Sequence, residues 1–138
     1  MWGEEGNVEM ANYDIVVVGG SAAGLTAAIT ARRHYQDKKI ALVRKEKRVL
    51  IPCGIPYIFG TVHTPENNLI PDAPLEQNDI SLHVDTVEEI DREQHRLLMA
   101  SGEKIGYEKL ILATGSSPIV PPIPGAVSYT HPPSPRDL

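Results

Sequence analysis

The stretch Asp14-Ile15-Val16-Val17-Val18-Gly19-Gly20-Ser21-Ala22-Ala23-Gly24 leaves a chain of this kind few ways to fold. A β-branched run with no charge after Asp14 has the composition of a strand covered on both faces, as in a parallel sheet. Glycine and alanine follow without a spacer, and small residues continue through Ala27, Ala28 and Ala31. A strand that passes through a glycine turn straight into a helix is the setting in which a glycine motif marks a dinucleotide site. The first turn of such a helix leaves N–H groups unpaired and its dipole favours an anion, so a pyrophosphate suits that position.

The segments that follow complete the unit. A helix is expected from Ala22 to Tyr35, with Leu25, Ala28, Ile29 and Arg32 at helical spacing and Arg32-Arg33-His34 at the negative end of the dipole. Asp37-Lys38-Lys39 turns the chain, and Ile40 to Val43 forms a second buried strand, closing a βαβ unit with a right-handed crossover. Arg44 to Arg48 reads as a solvated loop at the carboxyl end of that strand, the edge where open α/β sheets bind ligands. Val49 to Phe59 is unusually apolar for a loop and carries Cys53. Thr61 to Asn78 is rich in proline and asparagine and reads as a surface connection with one short helix near Leu75. Ser81 to Val84, Thr86 to Ile90, Arg96 to Ala100 and Glu103 to Tyr107 are expected as short antiparallel strands, a meander with a hairpin turn at Ser101-Gly102. Lys109 to Gly115, KLILATG, is a third buried strand ending in a small-residue turn, and Pro118, Pro121, Pro122 and Pro124 exclude a regular element after it.

A length of 138 residues allows one modest domain. Residues 1–12 are polar and acidic and are expected as a disordered extension, 13–125 as the domain. Residues 126–138 have neither periodicity nor an apolar stripe and resemble an out-of-frame translation more than a native segment. The net charge of −5 argues against nucleic acid or an anionic membrane as partner. No run approaches the ~20 apolar residues that cross a bilayer. The start, Met1-Trp2-Gly3-Glu4-Glu5, lacks the basic end of a signal peptide, so a cytoplasmic location is expected. His34, His63, His83, His95 and His131 show no ligand spacing, and no metal site is expected. Glu88-Glu89 reads as a solvated strand edge, and no paired catalytic carboxylates are discernible.

Cys53 is the chain's one cysteine, so an internal disulfide is excluded and any sulfur chemistry needs an outside partner. A lone cysteine is commonly a small buried hydrophobe. Here Cys53-Gly54-Ile55-Pro56 reads as the start of a short helix, with Gly54 allowing close approach of a flat ligand and Pro56 tolerated in the first turn. A thiol at a helix amino terminus holds the reactive thiolate more readily than a free cysteine does.

Taken together, the chain resembles the amino-terminal part of a flavoprotein of the pyridine nucleotide-disulfide oxidoreductase family, in the single-cysteine branch with coenzyme A-disulfide reductase and NADH oxidase. Four segments in order carry the resemblance: VVVGGSAAG (Val16 to Gly24), PCGIPY (Pro52 to Tyr57), the meander ending GEKIGYEKL (Gly102 to Leu110), and ILATGSSPIVPPIPG (Ile111 to Gly125). It implies an α/β, Rossmann-like FAD-binding domain, a parallel sheet with helices and an inserted antiparallel meander, incomplete in this chain. Gly19, Gly20, Ser21, Ala22, Ala23, Gly24, Ala113, Thr114 and Gly115 would line the FAD, with Cys53 over its flavin. Ser21 stands where G-x-G-x-x-G has its second glycine, and relatives in this branch often lack that glycine too. The acidic residue expected to hold the adenosine ribose at the end of the second strand is replaced by Arg44 or Lys45, with Glu46 two places late.

The activity implied is hydride transfer from NAD(P)H to FAD, then electrons to Cys53 held as a mixed disulfide with coenzyme A. Position 58, where the second thiol of a C-x-x-x-x-C pair would fall, is Ile58, which counts against the lipoamide- or glutathione-reductase type. The alternatives are an NADH oxidase or peroxidase in which Cys53 cycles through sulfenic acid, or a fragment without activity of its own. Tyr57 is either a hydrogen-bonding neighbour of the thiol or a packing residue. The resemblance places NAD(P)H in a later domain outside this chain and makes the full-length protein a homodimer acting on a small-molecule disulfide or oxygen.

Overall fold

The computed structural model describes residues 10–117, 119 and 122–124. Strand β1, Ala11–Val18, runs through the glycine turn into helix α1, Ala22–His34, and strand β2, Ile40–Arg44, follows. Two short 3-10 helices, Pro52–Phe59 and Pro65–Asn68, precede helix α2, Ala73–Gln77. Strands β3 (Ile80–Val84), β4 (Val87–Asp91), β5 (Arg96–Met99) and β6 (Lys104–Leu112) complete a six-stranded sheet of order β3-β2-β1-β6-β5-β4. β3, β2, β1 and β6 run parallel, while β5 is antiparallel to both β6 and β4.

The β-branched run of β1 is buried because the sheet is covered on both sides. On one face Ile15, Val17, Ile40, Leu42 and Ile80 pack with Ala28 and Ala31 of α1 and Leu75 of α2. On the other, Val16, Val18, Ala41 and Val43 pack with Leu97, Met99 and Ile105, so the antiparallel strands fold across the parallel ones. The alternation along β1 and β2 sends successive side chains into the two cores. The α1 residues that face the sheet, Gly24, Ala28 and Ala31, are small and spaced at one helical face, which lets the helix lie close. Arg32 then ties the end of α1 to the sheet's amino-terminal edge, donating to the carbonyls of Gln36, Lys38, Asn78 and Asp79 at 2.7–2.8 Å.

Four expectations change. The segment expected as the first antiparallel strand, β3, is parallel to β2, with Ile40 opposite Ile80 and Arg44 opposite Val84. Parallel neighbours need a long crossover, and residues 45–79 supply one; a short apolar alternation does not reveal the direction of its partner. The meander therefore has three strands. Its last strand and the strand expected as buried from Lys109 are one element: β6 pairs with β5 from Lys104 to Gly106 and with β1 from Ile105 to Leu112, and its second half is not buried, Lys109 and Leu112 being exposed. Gly106 and the polar residues after it break the apolar pattern there, but ladder hydrogen bonds do not depend on side chains. For the same reason Ala11 and Asn12, expected within the disordered extension, lie in β1 opposite Ile105 and Gly106. Finally, Arg44 belongs to β2 and is buried, while residues 45–47 are exposed as a loop should be. Residues 1–9 of the extension, Gly125 and the tail 126–138 lie outside the described residues.

Candidate functional site

The carboxyl ends of β1, β2 and β6 meet at one edge of the sheet. Gly19 leaves β1 with φ +116°, a left-handed conformation that glycine adopts without strain, and its N–H donates to the Val43 carbonyl at 2.8 Å. A Cβ on Gly19 would collide with the Ala113 carbonyl, and one on Gly24 with the Gly19 carbonyl, so turn, helix and the Ala113-Thr114-Gly115 turn are in backbone contact. The Ala113 N–H donates to Val18 at 2.7 Å, locking the two turns side by side. Thr114 and Gly115 beyond it are exposed. Ser21 is the N-cap of α1 in an extended conformation, yet its hydroxyl makes no capping hydrogen bond. Ala22 and Ala23 are exposed, and the first turn of α1 carries no acidic residue. A helix amino terminus that is open, uncapped and free of negative charge fits a phosphate group such as a dinucleotide carries.

Arg44 ends β2 with its side chain turned into the chain. Its stem packs on Gly20, where a Cβ would stand 2.5 Å from Cδ. Its guanidinium forms a two-pronged pair with Asp72, Nη1 to Oδ1 at 2.7 Å and Nη2 to Oδ2 at 3.0 Å, and Nη2 also donates to the Lys47 carbonyl at 2.8 Å. The side chain is 2% exposed and its Nε has no partner. Asp72 is the N-cap of α2, but its carboxylate serves Arg44 instead of the helix. Lys45 and Glu46 are exposed and pair with each other at 3.4 Å.

Cys53 lies in the second position of the first 3-10 helix, after Pro52, and is exposed. Within this chain Cys53 is therefore not a buried hydrophobe. The element is a 3-10 helix throughout, and none of its eight residues is buried. The approach that Gly54 permits is filled from within the chain: a Cβ there would collide with the Asn68 carboxamide. Tyr57 and Phe59 are exposed at 61% and 90%, so Tyr57 does not pack into a core here. No group of three histidine, cysteine, aspartate or glutamate side chains suited to a metal occurs among the described residues.

Residues 13–134 match the family described as pyridine nucleotide-disulphide oxidoreductase. The chain belongs to this family. Its members are FAD-dependent and take electrons from NAD(P)H. Over 124 residues the chain is 34% identical to an NADH oxidase of Methanocaldococcus jannaschii, covering 80% of this chain and 27% of that protein. It is 33% identical to the NAD(P)H coenzyme A polysulfide/persulfide reductase of Pyrococcus horikoshii over 116 residues, 80% of this chain and 26% of the relative. The fold superimposes on an NAD-dependent persulfide reductase from A. fulgidus with a TM-score of 0.72 at 33% identity, over 80% of this chain and 23% of the other. The chain thus spans about a quarter of the length of the curated relatives it matches. Among the described residues no helix is long and apolar enough to cross a membrane.

Two residues that hold the candidate site residues escape sequence reasoning: Asp72 and Asn68. Asp72-Ala73-Pro74 does signal a helix start. Nothing in the sequence signals that the Asp72 side chain reaches back to Arg44, or that Asn68 is buried against Gly54.

Proposed function

We propose that this chain is the FAD-binding amino-terminal part of an NAD(P)H oxidoreductase that reduces a small-molecule disulfide, such as coenzyme A disulfide, through Cys53. The observation that carries the reading is the juncture of the Gly19–Gly24 turn with the Ala113–Gly115 turn at the carboxyl edge of β1 and β6. There the first-turn N–H groups of α1 and the uncommitted Ser21 hydroxyl would hold the pyrophosphate. Thr114 and Gly115, exposed beside them, would lie along the cofactor. Bound FAD would supply the electron pair, received as hydride from NAD(P)H, that disulfide reduction needs. NAD(P)H itself would bind in a part of the protein outside this chain, and the whole protein would be a homodimer.

The chain's own chemistry lies at Cys53. Its thiolate attacks one sulfur of the substrate, R–S–S–R, forming Cys53–S–S–R and releasing R–S⁻, which takes up a proton. Two electrons and a proton then return the mixed disulfide to the Cys53 thiolate and a second R–SH. The exposure of Cys53 supports this reading, since an outside disulfide must reach the sulfur. The relatives named as oxidases keep a second acceptor, oxygen, in view.

Two measurements test the reading. The purified chain, mixed with FAD and passed through gel filtration, is expected to retain the visible flavin absorbance; emergence without it would remove FAD from this site. In the whole protein, NAD(P)H oxidation is followed with coenzyme A disulfide and, separately, with oxygen. Cys53→Ser is expected to abolish the first. Disulfide reduction that survives this change would take Cys53 out of the mechanism.

A further inference from the structure

Arg44 and Asn68 are the two buried polar side chains among the described residues. Asn68, 3% exposed, ends the second 3-10 helix and faces the segment that carries Cys53. The Ile51 N–H donates to the Asn68 carbonyl at 2.9 Å, and Asn68 Nδ2 donates back to the Ile51 carbonyl at 2.9 Å. That same carbonyl accepts the Gly54 N–H at 3.0 Å, the first hydrogen bond of the Cys53 helix. Ile51 is the N-cap of that helix, and Asn68 holds both its backbone groups. On its other side the Asn68 carboxamide fills the space beside Gly54 that any Cβ would need. The bridge of Leu50 with Leu69 and the 2.8 Å bond from Ile70 N–H to Val49 extend the same pairing outward.

The Cys53 helix has no buried residue, so core packing does not fix it. Its orientation rests on hydrogen bonds, those of Ile51 and Asn68 at its start and that of the Val62 N–H to the Tyr57 carbonyl, 2.9 Å, at its end. We propose that Asn68 is a positioning residue for Cys53, holding the Ile51 carbonyl and wedging against Gly54 so that the thiol is presented in one orientation. The proposal rests on the reading of Cys53 as the redox thiol. In this arrangement Gly54 is required by Asn68, an internal neighbour, and the two positions act as one unit.

The test uses the full 138-residue chain, whose single thiol makes the readout unambiguous. The probe is the aromatic disulfide 5,5′-dithiobis(2-nitrobenzoate): Cys53 forms a mixed disulfide with one half and releases the other as a coloured thiolate. Rates are measured across about pH 5 to 9, with circular dichroism to confirm folding. Asn68→Leu keeps the branched shape of the side chain and removes the Nδ2 donor without adding a charge beside the thiol. It is expected to change the rate at least about fivefold, the effect of losing one buried hydrogen bond, and to move the midpoint of the rate–pH curve, which a merely structural loss of stability would not do. Gly54→Ala is expected to disturb the rate in the wild-type background and to do nothing further when Asn68 is already alanine, because the collision is gone. A wild-type rate and pH curve in Asn68→Leu, or an equal effect of Gly54→Ala in both backgrounds, would overturn the proposal. If Asn68→Leu does not fold, the Gly54→Ala comparison decides alone. These rates read thiol presentation whatever the natural acceptor, so failure here is distinct from failure of the redox reading, which shows in Cys53→Ser of the whole protein.

Discussion

Asp72→Ala and Arg44→Met delete the same ion pair, yet they are expected to cost very different amounts. The Arg44 side chain is 2% exposed and the Asp72 side chain 43%. Without Asp72 the guanidinium stays buried with one recorded bond, to the Lys47 carbonyl at 2.8 Å, and with its Nε already unpartnered. An uncompensated buried charge costs about 3–5 kcal/mol. Water entering where Asp72 stood lowers that to about 2–3 kcal/mol, since the Asp72 side chain already reaches solvent. In Arg44→Met the apolar stem still packs on Gly20, and the half-exposed Asp72 carboxylate is simply hydrated, so the cost should stay within about 1 kcal/mol. The double variant should fall beside Arg44→Met, because once the cation is gone Asp72 has nothing to neutralise.

Urea unfolding of the four proteins, followed by circular dichroism, measures this ordering. For a slope of about 1.5 kcal/mol/M, the loss in Asp72→Ala moves the midpoint by roughly 1.5 M, well outside experimental error, with the slope itself unchanged. Arg44→Met as damaging as Asp72→Ala, or a double variant that costs the sum of the two, would refute the argument. The first result would mean that the pair contributes through its attraction, and the second that the two side chains act independently.

Three other outcomes are expected. Gly24→Val forces side-chain atoms into the Gly19 carbonyl, where both partners are backbone and neither can rotate away; a loss of about 3 kcal/mol and of FAD retention is expected, and an unchanged melting temperature would contradict the packing described. Ser21→Ala removes a hydroxyl that caps nothing, so stability should stay within about 0.5 kcal/mol while FAD affinity falls roughly fivefold; the reverse pattern, measured by melting and by FAD titration, would show that Ser21 serves the helix. Asp14 is held below its ordinary 3.8 by the Lys38 side chain and then the Lys39 N–H. Its contribution to stability is present above the unfolded value and lost as pH falls through the lower folded one. Wild type and Asp14→Asn should therefore differ at neutral pH and converge below about pH 4, and stability curves that stay parallel down to pH 3 would sink the idea.

Sequence reasoning reaches what depends on composition along the chain, and loses what depends on which distant segments meet. β1, α1 and β2 are legible because burial on two faces demands an uninterrupted apolar run and close helix packing demands Gly24, Ala28 and Ala31. The division of β6 into two expected elements shows the limit. Its amino-terminal part serves β5 and Ile105 to Leu112 serve β1, and a Tyr107-Glu108-Lys109 interruption in the side chains is invisible to the ladder. Arg44 shows another: in a charged cluster it reads as solvated like its neighbours, and only Asp72, 28 residues on, explains its burial. Cys53 at a helix start was legible, because proline and glycine around it permit little else. What holds that helix was not, because Asn68 differs in nothing but its surroundings from Asn67, which is exposed.

The three glycines of the first turn separate what the motif owes to the chain from what it owes to a ligand. A Cβ on Gly19 meets Ala113, one on Gly20 meets Arg44, and one on Gly24 meets Gly19. All three are therefore required by internal packing before any dinucleotide arrives. A turn of this kind would keep these glycines even if it bound nothing, so they support the fold more strongly than the cofactor. The features without an internal reason are the ones that point outward: the uncapped Ser21 hydroxyl, the exposed first turn without an acid, and the exposed Thr114 and Gly115 beside it. The replacement of the motif's second glycine by Ser21 belongs with these, since it changes the surface offered to a phosphate and leaves the packing of turn on strand as it was. Ser21→Ala against Gly24→Val is thus the pair of changes that separates binding from folding at this site.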